Sequence, residues 1–404
     1  MNFAYESAAR GSELKFAFVV QRYGQQISGG SEQFCRALAE RLVKLASVTV
    51  LTTCATDYMT WRDELPPGES ELNGVRVLRF RVDAPRDVPA FNALSEKVLN
   101  SSPPMEEQER WMRMQGPVST ALLEHLKREG ESYGAVLFFT YLYATTYLGL
   151  PLVAGRALLA PTAHDEPAIY LSMFDGLFRK ARRLLFLTPE EREFVYRRFC
   201  LPEDAGVVAG FGMDAPGGET ALPEAVRALE GAPYLLYVGR VDPSKGCEEL
   251  VKHFLRFLDE APESPLRLVL AGTPYMEIPK HPRVIATGYV SEAEKNGLLG
   301  GAMALAAPSP YESLCIAALE AWLRGKPVVA NAVSKVLVGQ CQRASGGVWY
   351  RSYAEFAECV RMLEAEADLR RRLGEAGRRY VERKYGWETV EQVYFENLSQ
   401  VAQG

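Results

Sequence analysis

Short apolar runs that alternate with amphipathic, helix-length segments constrain the fold of this chain most strongly. The first run covers residues 14–20, and further strand candidates follow at 48–52 and 75–80. Runs of this length suit strands buried on both faces, and helices between them make successive strands parallel. The pattern therefore predicts α/β domains with doubly wound, Rossmann-like sheets.

The alternation pauses once and then restarts, which predicts two such domains. A chain of 404 residues is too long for one hydrophobic core. After Gly210 the sequence reads GMDAPGGETALPE, and this Gly- and Pro-rich composition is typical of a domain linker. We therefore predict an N-terminal domain over residues 1–212 and a C-terminal domain over residues 213–385. Residues 386–404 are predicted to form a last helix.

Secondary structure in both halves can be predicted from periodicity and from helix-terminal signals. The predicted helices include one after Ser31 with Glu32 in its first turn, one at 248–258, one at 291–299 with Ser291 as N-cap, and one at 314–323. The predicted strands, besides those above, are 135–139, 157–159, 184–187, 234–238, 267–270, 302–306 and 328–330.

The segment between Asp83 and Gln115 departs from the alternation and is predicted to be an insertion. It carries two prolines and a cluster formed by Trp111, Met112 and Met114. Ordinary helix packing is the favoured interpretation of this cluster, and an exposed acceptor-binding lid is the alternative.

Charge and composition exclude several classes of protein. The net charge of -5 gives no general attraction for nucleic acid, so nucleic-acid partners are not expected. No apolar run is long enough to span a bilayer, and the N-terminus lacks a secretory signal pattern, so we expect a cytoplasmic protein. The seven cysteines show no CxxC spacing and are predicted to be buried thiols.

The segment YVGRVDPSKG carries the strongest chemical signal of the second half. It places Gly239 and Arg240 at the end of a predicted strand, and Lys245 and Gly246 just before a helix. Open α/β sheets bind ligands at this edge. The two cations can neutralise a diphosphate, and the glycines can let backbone N–H groups approach it. A pair of surface cations on a turn is the less favoured alternative.

The segment PSPYESLCIAALEAWLRGKPVVAN carries two glutamates, Glu312 and Glu320. If both lie on one helix, eight residues at 1.5 Å each separate them by about 12 Å, roughly the span from a donor sugar to its ribose. Carboxylates accept hydrogen bonds from sugar hydroxyls. The mostly apolar neighbourhood favours a polar site over a solvated helix face.

The first half contains weaker signals for ligand binding. SGGSEQF places Gly29 and Gly30 on a strand-to-helix turn whose N–H groups can bind phosphate. PTAHDEP places His164 after a predicted strand. The sequence shows no DxD pair and no cluster with metal-ligand spacing, so no metal or other cofactor is expected.

Taken together, these motifs resemble those of the retaining glycosyltransferases of family 4, which have the GT-B fold of two Rossmann-like domains facing across a deep cleft. The resemblance covers nearly the whole chain. The residues that match the family's motifs in order are Gly29, Gly30, His164, Arg240, Lys245, Glu312 and Glu320.

The resemblance implies a role for each matching residue. Glu312 would contact hydroxyls of the donor sugar, Glu320 the ribose, and His164 the transferred sugar, so that Glu312, His164, Arg240 and Lys245 form the catalytic set. The residues implied to contact the nucleotide sugar are Gly29, Gly30, Gly239, Arg240, Lys245, Glu312, Ser313, Leu314 and Glu320. The domain over residues 1–212 would be the acceptor side, and the domain over residues 213–385 would bind the nucleotide sugar. The last helix, around residues 387–401, would cross back onto the first domain. SLCIAALEAW replaces a Gly/Phe-rich turn of the family, so the donor-sugar pocket is expected to differ.

The resemblance also implies a reaction: transfer of a sugar, with retention and without a metal, from a nucleotide diphosphate sugar to a hydroxyl acceptor. A UDP-sugar is the default donor. The acceptor would be a glycan, a small metabolite or a lipid-linked saccharide, and the last would bring the protein to a membrane surface. A nucleotide-sugar epimerase of the same fold and an inactive nucleotide-sugar-binding protein are the alternatives. The presence of all the motif residues favours the transferase.

Overall fold

The computed structural model describes residues 14–27, 29–229 and 231–404, and the chain divides into two compact units. The first unit contains the described residues up to Gly212 together with Val390–Gly404, and the second contains Met213–Thr389. Residues 1–13, on which the expectation of no secretory signal rests, lie outside the described residues.

The first unit is built on a largely parallel sheet with strand order β3-β4-β2-β1-β5-β6-β7-β8. Only β3 runs antiparallel to its neighbour among the described strands of this sheet. The strands are β1 Lys15–Val19, β2 Ser47–Thr53, β3 Gly68–Leu72, β4 Val75–Phe80, β5 Ala135–Phe139, β6 Ala157–Ala160, β7 Arg183–Phe186 and β8 Gly206–Val208.

Helices follow most of these strands, as the alternation predicted. They are α1 Gly30–Leu42, α2 Val88–Leu99, α3 Met105–Gln115, α4 Thr120–Glu129, α5 Ala144–Gly149, α6 Leu177–Lys180 and α7 Pro189–Phe199. The predicted insertion consists of α2 and α3. Trp111 and Met112 are buried in the core of this unit, which confirms the helix-packing interpretation over the lid.

The second unit contains a parallel sheet with strand order β11-β10-β9-β12-β13-β14. Its strands are β9 Tyr234–Val238, β10 Arg267–Ala271, β11 Val284–Gly288, β12 Ala304–Ala307, β13 Val328–Asn331 and β14 Gly347–Tyr350. Its helices are α8 Glu224–Arg227, α9 Cys247–Glu260, α10 Glu292–Gly301, α11 Ile316–Leu323, α12 Lys335–Ala344, α13 Tyr353–Ala365 and α14 Ala367–Lys384. Ser291 caps α10 through a capping box with Glu294, as its position predicted.

The last helix, α15 Trp387–Gln403, packs within the first unit from Val390 onward. The Tyr394 ring lies 5.4 Å from that of Phe34 and is fully buried. The Asn397 side chain accepts a hydrogen bond from Arg183 Nε at 3.0 Å. Aromatic burial and this polar contact together fix the helix against the sheet.

Four of the described strands were missing from the prediction, and each has a local reason. The side chains of β3 are mostly exposed, and the strand pairs with β4 through a turn at Asn73 and Gly74. β8 is too short to give a periodic pattern, and β11 and β14 are only partly buried. Apolarity alone therefore does not mark them.

Two further expectations were wrong. The helix predicted from residue 314 begins at Ile316, because Cys315 adopts a left-handed backbone conformation with φ 66°. The cysteines are not all buried, since Cys200 is exposed and Cys315 is half-buried.

Candidate functional site

The loop after β9 brings Gly239, Arg240 and Lys245 to the carboxyl edge of the second sheet. The Tyr237 hydroxyl donates a 2.6 Å hydrogen bond to the Arg240 carbonyl and fixes the backbone there. Lys245 ends a short 3-10 turn, and the side chain of Asp242 caps this turn by accepting from Ser244 N at 2.7 Å.

The glycines of this loop set its backbone conformation, and their own N–H groups donate to carbonyls within the protein. Gly239 N–H donates to the Ala271 carbonyl at 2.9 Å, and Gly246 N–H donates to the Pro243 carbonyl at 2.9 Å. Gly246 has φ 74°, and a Cβ there would lie 2.3 Å from the Pro308 carbonyl oxygen. Gly246 is thus required by a left-handed turn and a close backbone approach, and phosphate binding by this loop stays a prediction.

Lys245 and Glu312 form the central contact of the site. Lys245 Nζ lies 2.9 Å from Glu312 Oε1, and both side chains are largely withdrawn from solvent, with 31% and 16% of their surface exposed. The carboxylate of Glu312 raises the pKa of Lys245, although burial opposes this effect. A cation suited to phosphate and a carboxylate suited to sugar hydroxyls are therefore held side by side.

Arg240 is more exposed than Lys245. Its guanidinium lies 3.8 Å from Asp242, and 41% of its side-chain surface is exposed. At this distance the ion pair with Asp242 is weak.

Glu312 lies in the loop before α11 and not on that helix, so the estimate of about 12 Å along one helix no longer applies. Ser313 and Leu314 belong to the same loop. Glu320 is on α11, and its carboxylate lies 2.7 Å from Lys295 Nζ. Burial opposes the charge on Lys295, but Glu320 and Glu292 together raise its pKa.

In the first unit, Gly29 and Gly30 lie at the N-terminus of α1, with Gly29 as N-cap. The carboxylate of Glu32 folds back over this terminus, and a Cβ on Gly29 would lie 2.1 Å from its Oε2. Arg22 Nε donates to Glu32 Oε1 at 2.8 Å. The helix terminus thus already faces a carboxylate of its own chain, and the space beside that carboxylate accounts for Gly29.

His164 follows β6 in a loop tied down from two sides. His164 Nδ1 lies 3.1 Å from Glu166 Oε1, which also accepts a 2.7 Å hydrogen bond from Tyr141. The preceding residue, Ala163, donates its N–H to the buried Glu191 at 2.6 Å. These contacts hold the imidazole of His164 at the carboxyl edge of the first sheet.

The sequence did not point to Asp242, Lys295 or Glu191. Asp242 could have been found, because Asp before Pro-Ser is a common turn and capping signal. Lys295 and Glu191 lie on helices far along the chain from their partners, and only the fold brings them together.

Among the described residues, no group of three or more His, Cys, Asp or Glu side chains could hold a metal ion. In the same part of the chain, no helix is long and apolar enough to cross a membrane.

Residues 219–380 match the family model described as glycosyl transferases group 1. The chain is 29% identical over 258 residues to a D-inositol 3-phosphate glycosyltransferase of Kribbella flavida, an alignment that covers 59% of this chain and 61% of that protein. The match thus spans about six-tenths of this relative's length.

Solved structures resemble the chain over nearly its whole length. Sucrose-phosphate synthase from Thermosynechococcus elongatus gives a TM-score of 0.70 at 17% identity and covers 96% of this chain and 99% of its own. Anabaena HepE in complex with UDP and glucose gives a TM-score of 0.66 at 14% identity. This match covers 96% of the present chain and 100% of the HepE chain. These likenesses confirm the predicted fold, which is GT-B.

Proposed function

We propose that this chain is a retaining glycosyltransferase that transfers a sugar from a nucleotide diphosphate sugar to a hydroxyl acceptor. The observation that carries the proposal is the contact of 2.9 Å between Lys245 and Glu312 at the carboxyl edge of the second sheet. The match to glycosyl transferases group 1 covers the same region and supports the assignment.

In this proposal the second unit binds the donor. Arg240 and Lys245 stabilise the negative charge that develops on the departing diphosphate, Glu312 accepts hydrogen bonds from sugar hydroxyls, and Glu320 with Lys295 meets the ribose. Cations fixed before the reaction stabilise developing charge without reorganisation. UDP is the default nucleotide, and a relative of the same fold whose structure contains UDP and glucose supports this choice.

The first unit takes the acceptor side, with His164 beside the transferred sugar. The acceptor hydroxyl attacks from the face that the diphosphate leaves, so the anomeric configuration is retained. A departing phosphate oxygen takes the hydroxyl proton, and no protein base or metal ion is needed.

The test is incubation of the purified chain with UDP-, GDP- and ADP-sugars and a panel of hydroxyl acceptors. We expect nucleotide diphosphate release that persists in excess EDTA, and a product whose anomeric proton coupling matches the donor. Interconversion of donor sugars without an acceptor would identify an epimerase instead, and binding without turnover would identify a binding protein. Loss of activity in EDTA would contradict the metal-free step.

A further inference from the structure

The loop between β12 and α11, residues 308–315, is held at both ends by buried carboxamides. Asn331 Nδ2 donates to the Pro308 carbonyl at 2.9 Å, and Gln340 Nε2 donates to the Leu314 carbonyl at 2.6 Å. This loop carries Glu312, which contacts Lys245. Two side chains from the next strand and helix therefore set the path of the loop.

Gln340 holds its end of the loop at an energetic cost. The residue is fully buried, and within the described part of the chain its Oε1 has no hydrogen-bond partner. A buried polar atom without a partner is destabilising, and an apolar side chain of the same length would avoid this penalty. Packing alone therefore does not explain a glutamine here, whereas its bond to the Leu314 carbonyl requires the amide.

The bond to Leu314 also fixes the direction of the next N–H. In a trans peptide the carbonyl of Leu314 and the N–H of Cys315 point in opposite directions. Capture of the carbonyl by Gln340 thus turns the Cys315 N–H away from α12. No acceptor for this N–H is found among the described residues, and Cys315 keeps its left-handed backbone, φ 66°, at the start of α11.

The surroundings of Cys315 contain the charges of the donor site. Both Glu312 and Lys245 act electrostatically on its side chain, so the N-terminus of α11 lies near the predicted diphosphate cations. The N–H groups of Gly239 and Gly246 are already used within the protein. The Cys315 N–H is thus a backbone donor that this edge still offers to an anion.

We propose that Gln340 is a positioning residue: its amide holds the Leu314–Cys315 peptide so that the Cys315 N–H faces the phosphate oxygens of the nucleotide sugar. This inference rests on the proposed function. A donor aimed at developing phosphate charge acts mainly in the transition state, so loss of its alignment lowers kcat more than it changes donor KM.

The test compares Gln340→Met with Gln342→Met, which makes the same change at an exposed position of the same helix. We expect Gln340→Met to lower kcat roughly 10- to 100-fold with donor KM changed less than about threefold. Its thermal unfolding midpoint should stay within about 4 °C of the wild-type value, because the substitution also removes the unpaired Oε1. Gln342→Met should match the wild type in kcat, in donor KM and in the thermal unfolding midpoint.

Wild-type kcat in a folded Gln340→Met variant would overturn the inference and leave the proposed function intact. Gln340→Leu is the second variant, and if neither it nor Gln340→Met folds, the amide serves the fold and the positioning role is wrong. A wild-type chain that neither binds UDP, GDP or ADP nor releases them from their sugars would remove the proposed function, and this inference with it.

Discussion

Arg240 and Lys245 carry the same charge but differ in exposure and in the distance to their carboxylate partners. Lys245 is held by Glu312 at 2.9 Å, whereas Arg240 lies 3.8 Å from Asp242 and is more exposed. A diphosphate that binds here would share Lys245 with a carboxylate and would meet Arg240 at a more exposed position. The two residues should differ in what their removal does.

We expect Arg240→Ala to weaken binding of UDP about ten- to a hundredfold, because a hydrogen bond to a charged group contributes roughly 1.5 to 3 kcal/mol. Lys245→Ala should weaken it further, since Glu312 is then left facing the diphosphate without a cation. Both should lower the rate of transfer more than they weaken binding. Calorimetry and product release measure the two effects, with Lys252→Ala as control. Unchanged affinity and rate in both variants would place the diphosphate elsewhere.

Glu312→Gln keeps the shape of the side chain and removes its charge. We expect transfer to fall roughly 100-fold with the fold intact, because the amide is a weaker acceptor for sugar hydroxyls than a carboxylate. Glu248→Gln is the control, since Glu248 forms an exposed ion pair with Lys252 at 2.6 Å. Steady-state rates and circular dichroism decide the question, and a Glu312→Gln variant with wild-type turnover is incompatible with the proposed role.

Glu191 makes the stability of the protein depend on pH. Burial raises its pKa to about 8, although backbone N–H groups of Leu187, Ala163 and Thr188 lower it. The folded state thus holds this proton more tightly than the unfolded state, whose carboxyl titrates near 4.5. Glu191 therefore contributes up to about 5 kcal/mol to the free energy of unfolding below pH 4.5. This contribution is lost as the pH rises to about 8.

Glu191→Gln removes this titration, so the free energy of unfolding should depend less on pH between about 5 and 8 in the variant than in the wild type. Denaturant titrations at several pH values measure the difference. Glu193→Gln, an exposed change on the same helix, should keep the wild-type profile. Equal pH profiles for the wild type and Glu191→Gln would show that the carboxyl is ionised throughout.

At the scale of elements, most buried strands could be predicted from the sequence. β4, β5 and β9 were predicted with the bounds that the structure shows. β5 and β9 are sharply bounded apolar runs, whereas β4 mixes apolar residues with two arginines. The start of α11 was missed, since nothing local indicates that Cys315 adopts a conformation usual for glycine. The exposed β3 was missed because its stability comes from pairing with β4 and not from apolar burial.

The candidate residues of the site could be predicted from the sequence, but their contacts could not. The residue types at the carboxyl edge follow from motifs, so Arg240, Lys245, Glu312 and Glu320 could be named as candidates. Their partners could not, because the pairs of Lys245 with Glu312 and Lys295 with Glu320 join residues 67 and 25 positions apart. Such pairs depend on strand order, which the sequence does not state.

The helix α15 allows a test at this scale. Tyr394 is fully buried and packs on Phe34, so Tyr394→Ala should destabilise the first unit by about 3 to 5 kcal/mol. The affinity for UDP, which we assign to the second unit, should stay unchanged while that unit remains folded. Chemical denaturation and calorimetry measure the two quantities, with the exposed Gln392→Ala as control. A loss of nucleotide affinity without a loss of stability would argue against this division of roles.

In the molecule as a whole, the proposed donor site occupies one edge of one sheet. The opposite edge of the second sheet also offers a cavity, of about 840 Å³, lined in part by Lys326 and Arg370. Arg370 already donates to the Glu364 carbonyl there. Parallel sheets place their helix C-termini at this amino edge, and those dipoles disfavour an anion. We therefore expect a nucleotide to bind at the carboxyl edge of the second sheet and not at the amino edge.

Hydrogen–deuterium exchange of the full chain with and without UDP tests this assignment most directly, with GDP and ADP measured in parallel. We expect the bound nucleotide to slow exchange in residues 239–246 and 309–316, and to leave residues 263–267 and 325–328 unchanged, because ligand contact stabilises the local backbone against opening. A nucleotide that binds but protects only the second pair of segments, or neither pair, would contradict donor binding at the carboxyl edge of the second sheet.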